Sequence, residues 1–219
     1  MSEVEAGELI RRYPRLYHMA ERDTWSSIKK VGLLSTTAIL DKFKVTGRER
    51  VNFERCHRPE KCRVGTAESG MVLRDQKPMP PSRLRIALPA TITPAKWYRW
   101  LNGLVFMWAE ESRLLGLLGA RPYRNLEHDV LTIDTGKFVS EYEKSIWLAH
   151  MNSGSTFRIP HRRDFDLFKR IADYPARKSG GPVKNVVEVV ADYAVPNIHK
   201  FVISVDRMRG ERRLEHLGP

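Results

Sequence analysis

Glu188 breaks a valine run: the chain reads Val186-Val187-Glu188-Val189-Val190. In a strand its side chain falls on the face opposite Val187 and Val189. An unpaired carboxylate is costly to bury, so Glu188 has to face solvent, as on an amphipathic edge strand, or a cleft. Arg74 follows an apolar pair and opens the charged segment Arg74-Asp75-Gln76-Lys77 before Pro78. A guanidinium there can fork onto a pyrophosphate or a base, with Asp75 and Gln76 orienting it or reading that base. A surface turn before Pro78 accounts for the same residues. Asn152, Ser153 and Ser155 lie in the turn NSGST, whose backbone and hydroxyl groups suit phosphate or substrate contacts, though a plain turn explains them too. His18, between Tyr17 and Met19, is of a type more often bonded to backbone in a core than to a ligand. Phe106 and Trp108 share one face of LVFMWA, with Met107 on the other, and either stack on a ligand ring or fill the core.

The 219 residues suit one domain, and a 42% hydrophobic content is enough to bury a core. Thirty-eight Lys and Arg against 26 Asp and Glu give a formal charge of +12. Such a field attracts polyanions through phosphate neutralisation, although solubility alone also accounts for a basic balance. Met1 to Arg12 starts acidic and has no apolar stretch, so no signal peptide is expected. No run approaches the ~18 apolar residues of a membrane span. Cys56 and Cys62 in CHRPEKC hint at metal together with His57, but no second ligand pair follows. No metal is expected, and a reduced cytoplasmic protein fits. Neither a Walker sequence nor GxGxxG is present.

The elements that must position these groups follow from periodicity and punctuation. Residues 3–12 read as a short helix broken at Pro14, and 16–19 as a short buried strand. Residues 24–31 have helical spacing with Gly32 as C-cap, and a turn and second helix follow in LLSTTAILDKF. Pro94 starts a helix over 94–102, residues 104–109 fit a buried strand, and 110–120 a helix ending near Gly119. Strands are expected at 129–135, 145–151, 186–195 and 200–208, a short amphipathic helix at 164–173, and a loose polar tail over 207–219. Helices crowd the first half and strands the second, the pattern of a single α+β domain with its core at about 15–206.

Three of these segments, taken in order, carry a resemblance. LYHMA followed by KKVGLLST resembles the first block of the DarT-type DNA ADP-ribosyltransferases, where a strand-borne Tyr-His and a helix lead to a Gly-Leu-Leu-Ser turn. LVFMWA resembles the second block, an aromatic-rich strand flooring the nicotinamide pocket. NVVEVVADYAVPNI resembles the third, a strand-edge glutamate followed by an apolar stretch and Val-Pro. With RDQKPM, NSGST and HDVL, most of residues 15–206 looks closest to a bacterial family related to DarT. The resemblance implies an ADP-ribosyltransferase-like fold, a split mixed β-sheet with peripheral helices that grips NAD in a central cleft.

It also implies roles. Glu188 would stabilise positive charge at the ribose as nicotinamide leaves and deprotonate the acceptor. Arg74 matches a functional arginine between the first and second blocks. His18 would bond the adenosine-side ribose, and the backbone at Met19 and Ala20 would receive the nicotinamide amide. Ser35, Phe106, Trp108, Asn152 and Ser153 would complete the NAD site, while Asp75, Gln76, Arg162 and Arg163 would meet the acceptor. NAD is then a co-substrate and single-stranded DNA or RNA the partner. Basic groups at 42–63, 158–163 and 169–178 would form its track, and Trp97, Tyr98 and Trp100 beside Lys96 and Arg99 could stack on unpaired bases, although in a helix some of these aromatics must face the core. A toxin or phage-defence role would add an antitoxin protein as a partner. The alternatives are an NAD-using RNA 2′-phosphotransferase and a non-catalytic nucleic-acid binder of the same fold.

Overall fold

A computed structural model describes residues 4–66 and 69–219; Glu3, the first residue of the expected 3–12 helix, lies outside them. The chain opens with α1 (Ala6–Arg12), β1 (Arg15–Glu21), α2 (Trp25–Val31), β2 (Leu33–Leu34), α3 (Thr36–Lys42) and α4 (Gly47–Arg55). The hairpin of β3 (Cys62–Val64) and β4 (Met71–Leu73) follows, then α5 (Pro81–Ala87), α6 (Pro94–Asn102) and β5 (Leu104–Trp108). Next come α7 (Glu111–Leu118), β6 (Glu127–Asp134), α8 (Thr135–Tyr142) and β7 (Ile146–Ala149). The chain closes with β8 (Phe168–Arg170), β9 (Glu188–Asp192), β10 (Ala194–Val195), β11 (Val202–Arg209) and β12 (Arg212–Gly218).

Eight strands form one sheet in the order β12-β11-β6-β1-β5-β9-β7-β8. Every neighbouring pair in it is antiparallel. The class is α+β, but the sheet is not mixed: side-chain alternation marks a strand and carries no direction. Its seam lies at β1. That strand pairs with β6 from Arg15↔Asp134 to Glu21↔His128, yet among the described residues it meets β5 only at Tyr17↔Trp108. Past that pair the two halves of the sheet part.

Alternation along β5 and β9 divides their side chains. Val105, Met107, Val189 and Ala191 join the main core with residues of α1, α2 and α8. Leu104 and Val190 face the other way, under α5 and α6, where Leu84, Trp97, Tyr98 and Leu101 are buried. Pro94 and the Thr93 side chain, which accepts from Lys96 N–H at 3.3 Å, start α6 as the sequence indicates. Gly32 ends α2 at φ 86°, and a Cβ there would lie 2.3 Å from the Pro196 Cα, so the chain can turn closely past β10 only with glycine.

Three expected elements differ. The strand expected over 186–195 stops at Asp192, where Tyr193 at φ 55° turns the chain, and β10 pairs with β2 outside the main sheet. Residues 164–173 form two 3-10 turns around β8, which pairs with β7 through Ala149↔Phe168. Apolar residues at 165, 168 and 171 have a spacing of three, which 3-10 turns share with a helix. The tail is not loose: β12 pairs with β11 across the turn at Gly210. As an edge strand with no fully buried residue, it lacks the apolar alternation that marks a strand in sequence.

Candidate functional site

A cleft of about 1530 Å³ opens where β1 and β5 part. Its wall contains Glu188, Arg74, Asp75, Gln76, His18, Met19, Ala20, Ser35, Phe106, Trp108, Asn152 and Ser153, brought together from segments far apart in the chain. Arg162, exposed to solvent, and Arg163 lie outside it.

Glu188 is the first residue of β9, held between Trp108 of β5 and Ala149 of β7. This is an interior strand, so the edge-strand reading of the valine run does not hold. The side chain is 4% exposed, and both carboxylate oxygens accept the Ser153 N–H at 3.2 Å. Burial pushes its pKa up to about 7, against the opposing influence of Ser153 and of the Arg163 charge. Arg163 supports the same loop. Its guanidinium, 2% exposed, donates to the carbonyls of Ser153 and Ser155 at 2.8 Å each. Arg163, expected to meet a substrate, has its fork engaged on carbonyls of the turn that presents Ser153 to Glu188.

The opposite wall is β1. The Nδ1–H of His18 donates to the Phe106 carbonyl at 2.8 Å, taking a place that a continuous β1–β5 ladder would give to backbone. A carbonyl can only accept, so this bond fixes the tautomer and leaves Nε2 with its lone pair. Burial holds the imidazole pKa down to about 4, and the Arg74 charge acts in the same direction. His18 is neutral near pH 7. Phe106 and Trp108 are half-buried on the cleft side, while Met107 is buried in the main core, as their alternation requires.

Arg74 reaches the β1 wall from the segment after β4. It donates to the Met19 carbonyl at 3.2 Å and lies over the Tyr123 ring at 5.1 Å. Asp75 holds that ring, accepting the Tyr123 hydroxyl at 2.7 Å, and so orients Arg74 through a tyrosine. Gln76 contributes to the wall in another way: its Oε1 accepts the Arg58 N–H at 3.1 Å. Arg58 is buried, its Nε bonded to the Arg74 carbonyl at 2.7 Å, and burial lowers its pKa to about 10. Ser35 reaches the cleft, but its Oγ accepts the Ala38 N–H at 3.1 Å and caps α3.

Sequence reasoning missed Arg58 and Tyr123. One is a single buried cation among the basic groups of 42–63, and the other sits in a segment without pattern. Of the three α6 aromatics, Trp97 and Tyr98 are the ones that face the core, and the Tyr98 hydroxyl is spent on the Met79 carbonyl at 2.7 Å. Eight cationic side chains line the cleft (Arg22, Arg58, Arg63, Arg74, Lys77, Arg113, Arg121, Arg158) against four acidic ones (Glu21, Asp23, Asp75, Glu188), so the wall favours an anionic ligand. Cys56 and Cys62 are free thiols, and no group of three or more His, Cys, Asp or Glu is placed to hold a metal among the described residues. No helix among them is long and apolar enough to cross a membrane.

A family model matches residues 14–202, and the chain belongs to that family, described as a family of unknown function (DUF7002). The match runs from just before β1 to the first residue of β11 and so contains every residue of the cleft wall. No curated protein matches the chain.

Proposed function

We propose that the chain transfers ADP-ribose from NAD to a nucleic acid, with the cleft at the β1–β5 seam as the NAD site. The observation that carries this reading is the pairing of a buried, weakly acidic carboxylate with a neutral imidazole across a cation-lined cleft. The cleft exceeds the roughly 300–1,000 Å³ of ordinary small-molecule pockets, leaving room for a dinucleotide and part of an acceptor. A sheet split at its middle with the cleft at the split supports an ADP-ribosyltransferase-like fold.

NAD is the co-substrate and supplies an activated ribose. Its C1′–nicotinamide bond breaks with the electron pair leaving on nicotinamide, and positive charge develops at C1′. Glu188 opposes that charge. The acceptor then bonds to C1′ and passes its proton to Glu188, whose pKa near neutrality suits a base at working pH. His18 Nε2 accepts a ribose hydroxyl. Arg74 exchanges the Met19 carbonyl for the pyrophosphate, which frees the β1 edge at Met19 and Ala20 for the nicotinamide amide.

The arginine-rich wall favours one second reading, an NAD-using RNA 2′-phosphotransferase, in which several arginines and a histidine do the chemistry. Incubation of the protein with labelled NAD and separate pools of single-stranded DNA, duplex DNA, RNA and protein tests the proposal. Nicotinamide release with label on DNA or RNA supports it. Label confined to protein removes the nucleic-acid half, no turnover and no heat on NAD titration removes the enzyme, and cyclic phosphate from 2′-phosphorylated RNA establishes the second reading.

A further inference from the structure

A second concavity, about 760 Å³, lies between α4, α6 and the turn at Tyr193, on the other side of the wall formed by Asn102 and Glu54. Its two acidic residues are already engaged. Glu54 accepts from Thr37 Oγ1 at 2.9 Å and Arg50 Nη2 at 3.1 Å, and Asp192 accepts from Trp147 Nε1 at 2.6 Å and Arg170 Nη2 at 2.7 Å. Its exposed cations are not. Arg55, Lys96 and Arg99 line the groove, and among the described residues no carboxylate pairs with them. Lys96 and Arg99, three residues apart on α6, share one helix face. Between these charges the floor is aromatic: Phe165, 39% exposed, meets Trp100 edge-on at 5.5 Å.

Unpaired cations around a partly exposed aromatic are what a single nucleic-acid strand needs, phosphates on the rim and a base on the floor. We propose that this groove is a second nucleic-acid site, holding a stretch of the acceptor strand outside the reaction cleft. The assignment rests on the nucleic-acid reading of the cleft, but not on NAD. Leu104 lines both concavities, so a strand in the groove is already beside the cleft. The wall between them is one hydrogen-bonded chain: Asn102 Nδ2 donates to the Glu54 carbonyl at 3.0 Å, and Arg58 donates to Asn102 Oδ1 at 3.1 Å.

The test is fluorescence anisotropy of a labelled single-stranded 20-mer, in DNA and RNA versions and without NAD, over a salt series. Replacement of three phosphate contacts by Arg55→Glu/Lys96→Glu/Arg99→Glu lowers the slope of log affinity against log salt by about 2, from about 0.7 per contact on a single strand. Affinity is expected to fall at least tenfold at moderate salt. Phe165→Ala weakens binding about fivefold or more with the slope unchanged. The control is Lys137→Glu/Lys144→Glu/Lys200→Glu, which makes the same charge change at exposed positions outside both concavities and leaves affinity within a few-fold. Equal losses from both triple variants would overturn the site in favour of bulk charge. So would competition by polyglutamate as effective as by unlabelled strand, which would mark a surface for an acidic protein. NAD binding to the groove variant, measured by calorimetry, stays at the wild-type value. Failure of the NAD reading is thus separable from failure of the groove.

Discussion

Two buried carboxylates sit in the two halves of the split sheet, and their surroundings could hardly differ more. Asp129, on β6, is 0% exposed and fully engaged. Arg207 grips its Oδ1 with Nε and Nη2 at 3.1 and 3.0 Å, and the N–H groups of Thr24 and Trp25 at the start of α2 donate to Oδ2 at 3.1 and 3.3 Å. Glu188, on β9, is 4% exposed and receives one N–H. Equal burial with unequal pairing separates a carboxylate neutralised by its partners from one whose proton affinity burial raises.

The sharpest way to break the comparison is to remove each charge. Glu188→Gln keeps the shape and an acceptor for Ser153 N–H, so it should cut ADP-ribosyl transfer at least about 10³-fold, or about 4 kcal/mol of transition-state stabilisation. The same change should stabilise the fold at pH 8, because an ionised Glu188 costs on the order of 3 kcal/mol when its pKa rises from 4.5 to about 7. A lower melting temperature at pH 8 with full activity would reverse the assignment. Asp129→Asn should do the opposite. It strips the Arg207 contact and one support of α2, costing about 3 kcal/mol, or roughly 10 °C in melting temperature for a chain of this length. Below that temperature, turnover of the folded fraction should be near wild type.

Acid sharpens the same contrast. His18 and His128 have pKa values held down to about 4 from 6.5, chiefly by burial, so they release protons on folding. Their contribution is complete above pH 6.5 and is lost as pH falls toward 4. Glu188 acts in reverse: its contribution is present below 4.5 and is lost as pH rises through 7. Between pH 4.5 and 6.5 the uptake of a proton by Glu188 opposes the release by the imidazoles, so the slope of stability against pH is shallower in wild type than in Glu188→Gln. Urea unfolding of wild type and Glu188→Gln at pH 5 and 6, followed by tryptophan fluorescence, measures both. Identical slopes would mean that Glu188 does not take up a proton on folding.

How much of this was legible in the sequence depends on range. Glu188 stood out because a carboxylate in a valine run violates a local rule, and His18, Met19, Phe106 and Trp108 fell on the cleft through short strand segments. What engages Glu188 comes from a loop 35 residues earlier, and the single pairing that splits β1 from β5 leaves no mark in either strand. Arg162 and Arg163 are adjacent and chemically identical, yet one is in solvent and the other is spent on carbonyls of residues 153 and 155. No periodicity separates them. The edge strand β12 was invisible for the converse reason: it buries too little to need a pattern.

That last pair of arginines supplies the smallest and most discriminating effect. Arg163 acts on Glu188 in two ways, by lowering its pKa through charge and by fixing the turn that carries Ser153 N–H. Arg163→Lys keeps the charge but replaces the planar fork, whose two nitrogens each reach one carbonyl, by a single nitrogen. If geometry dominates, kcat should fall about tenfold, as expected for loss of a positioning contact, with the acid limb of the pH–rate profile unmoved. If charge dominates, kcat should change little, and only a neutral Arg163→Gln should shift that limb to higher pH. Arg162→Lys should leave both unchanged, and a loss there equal to that at Arg163 would return the pair to the nucleic-acid surface.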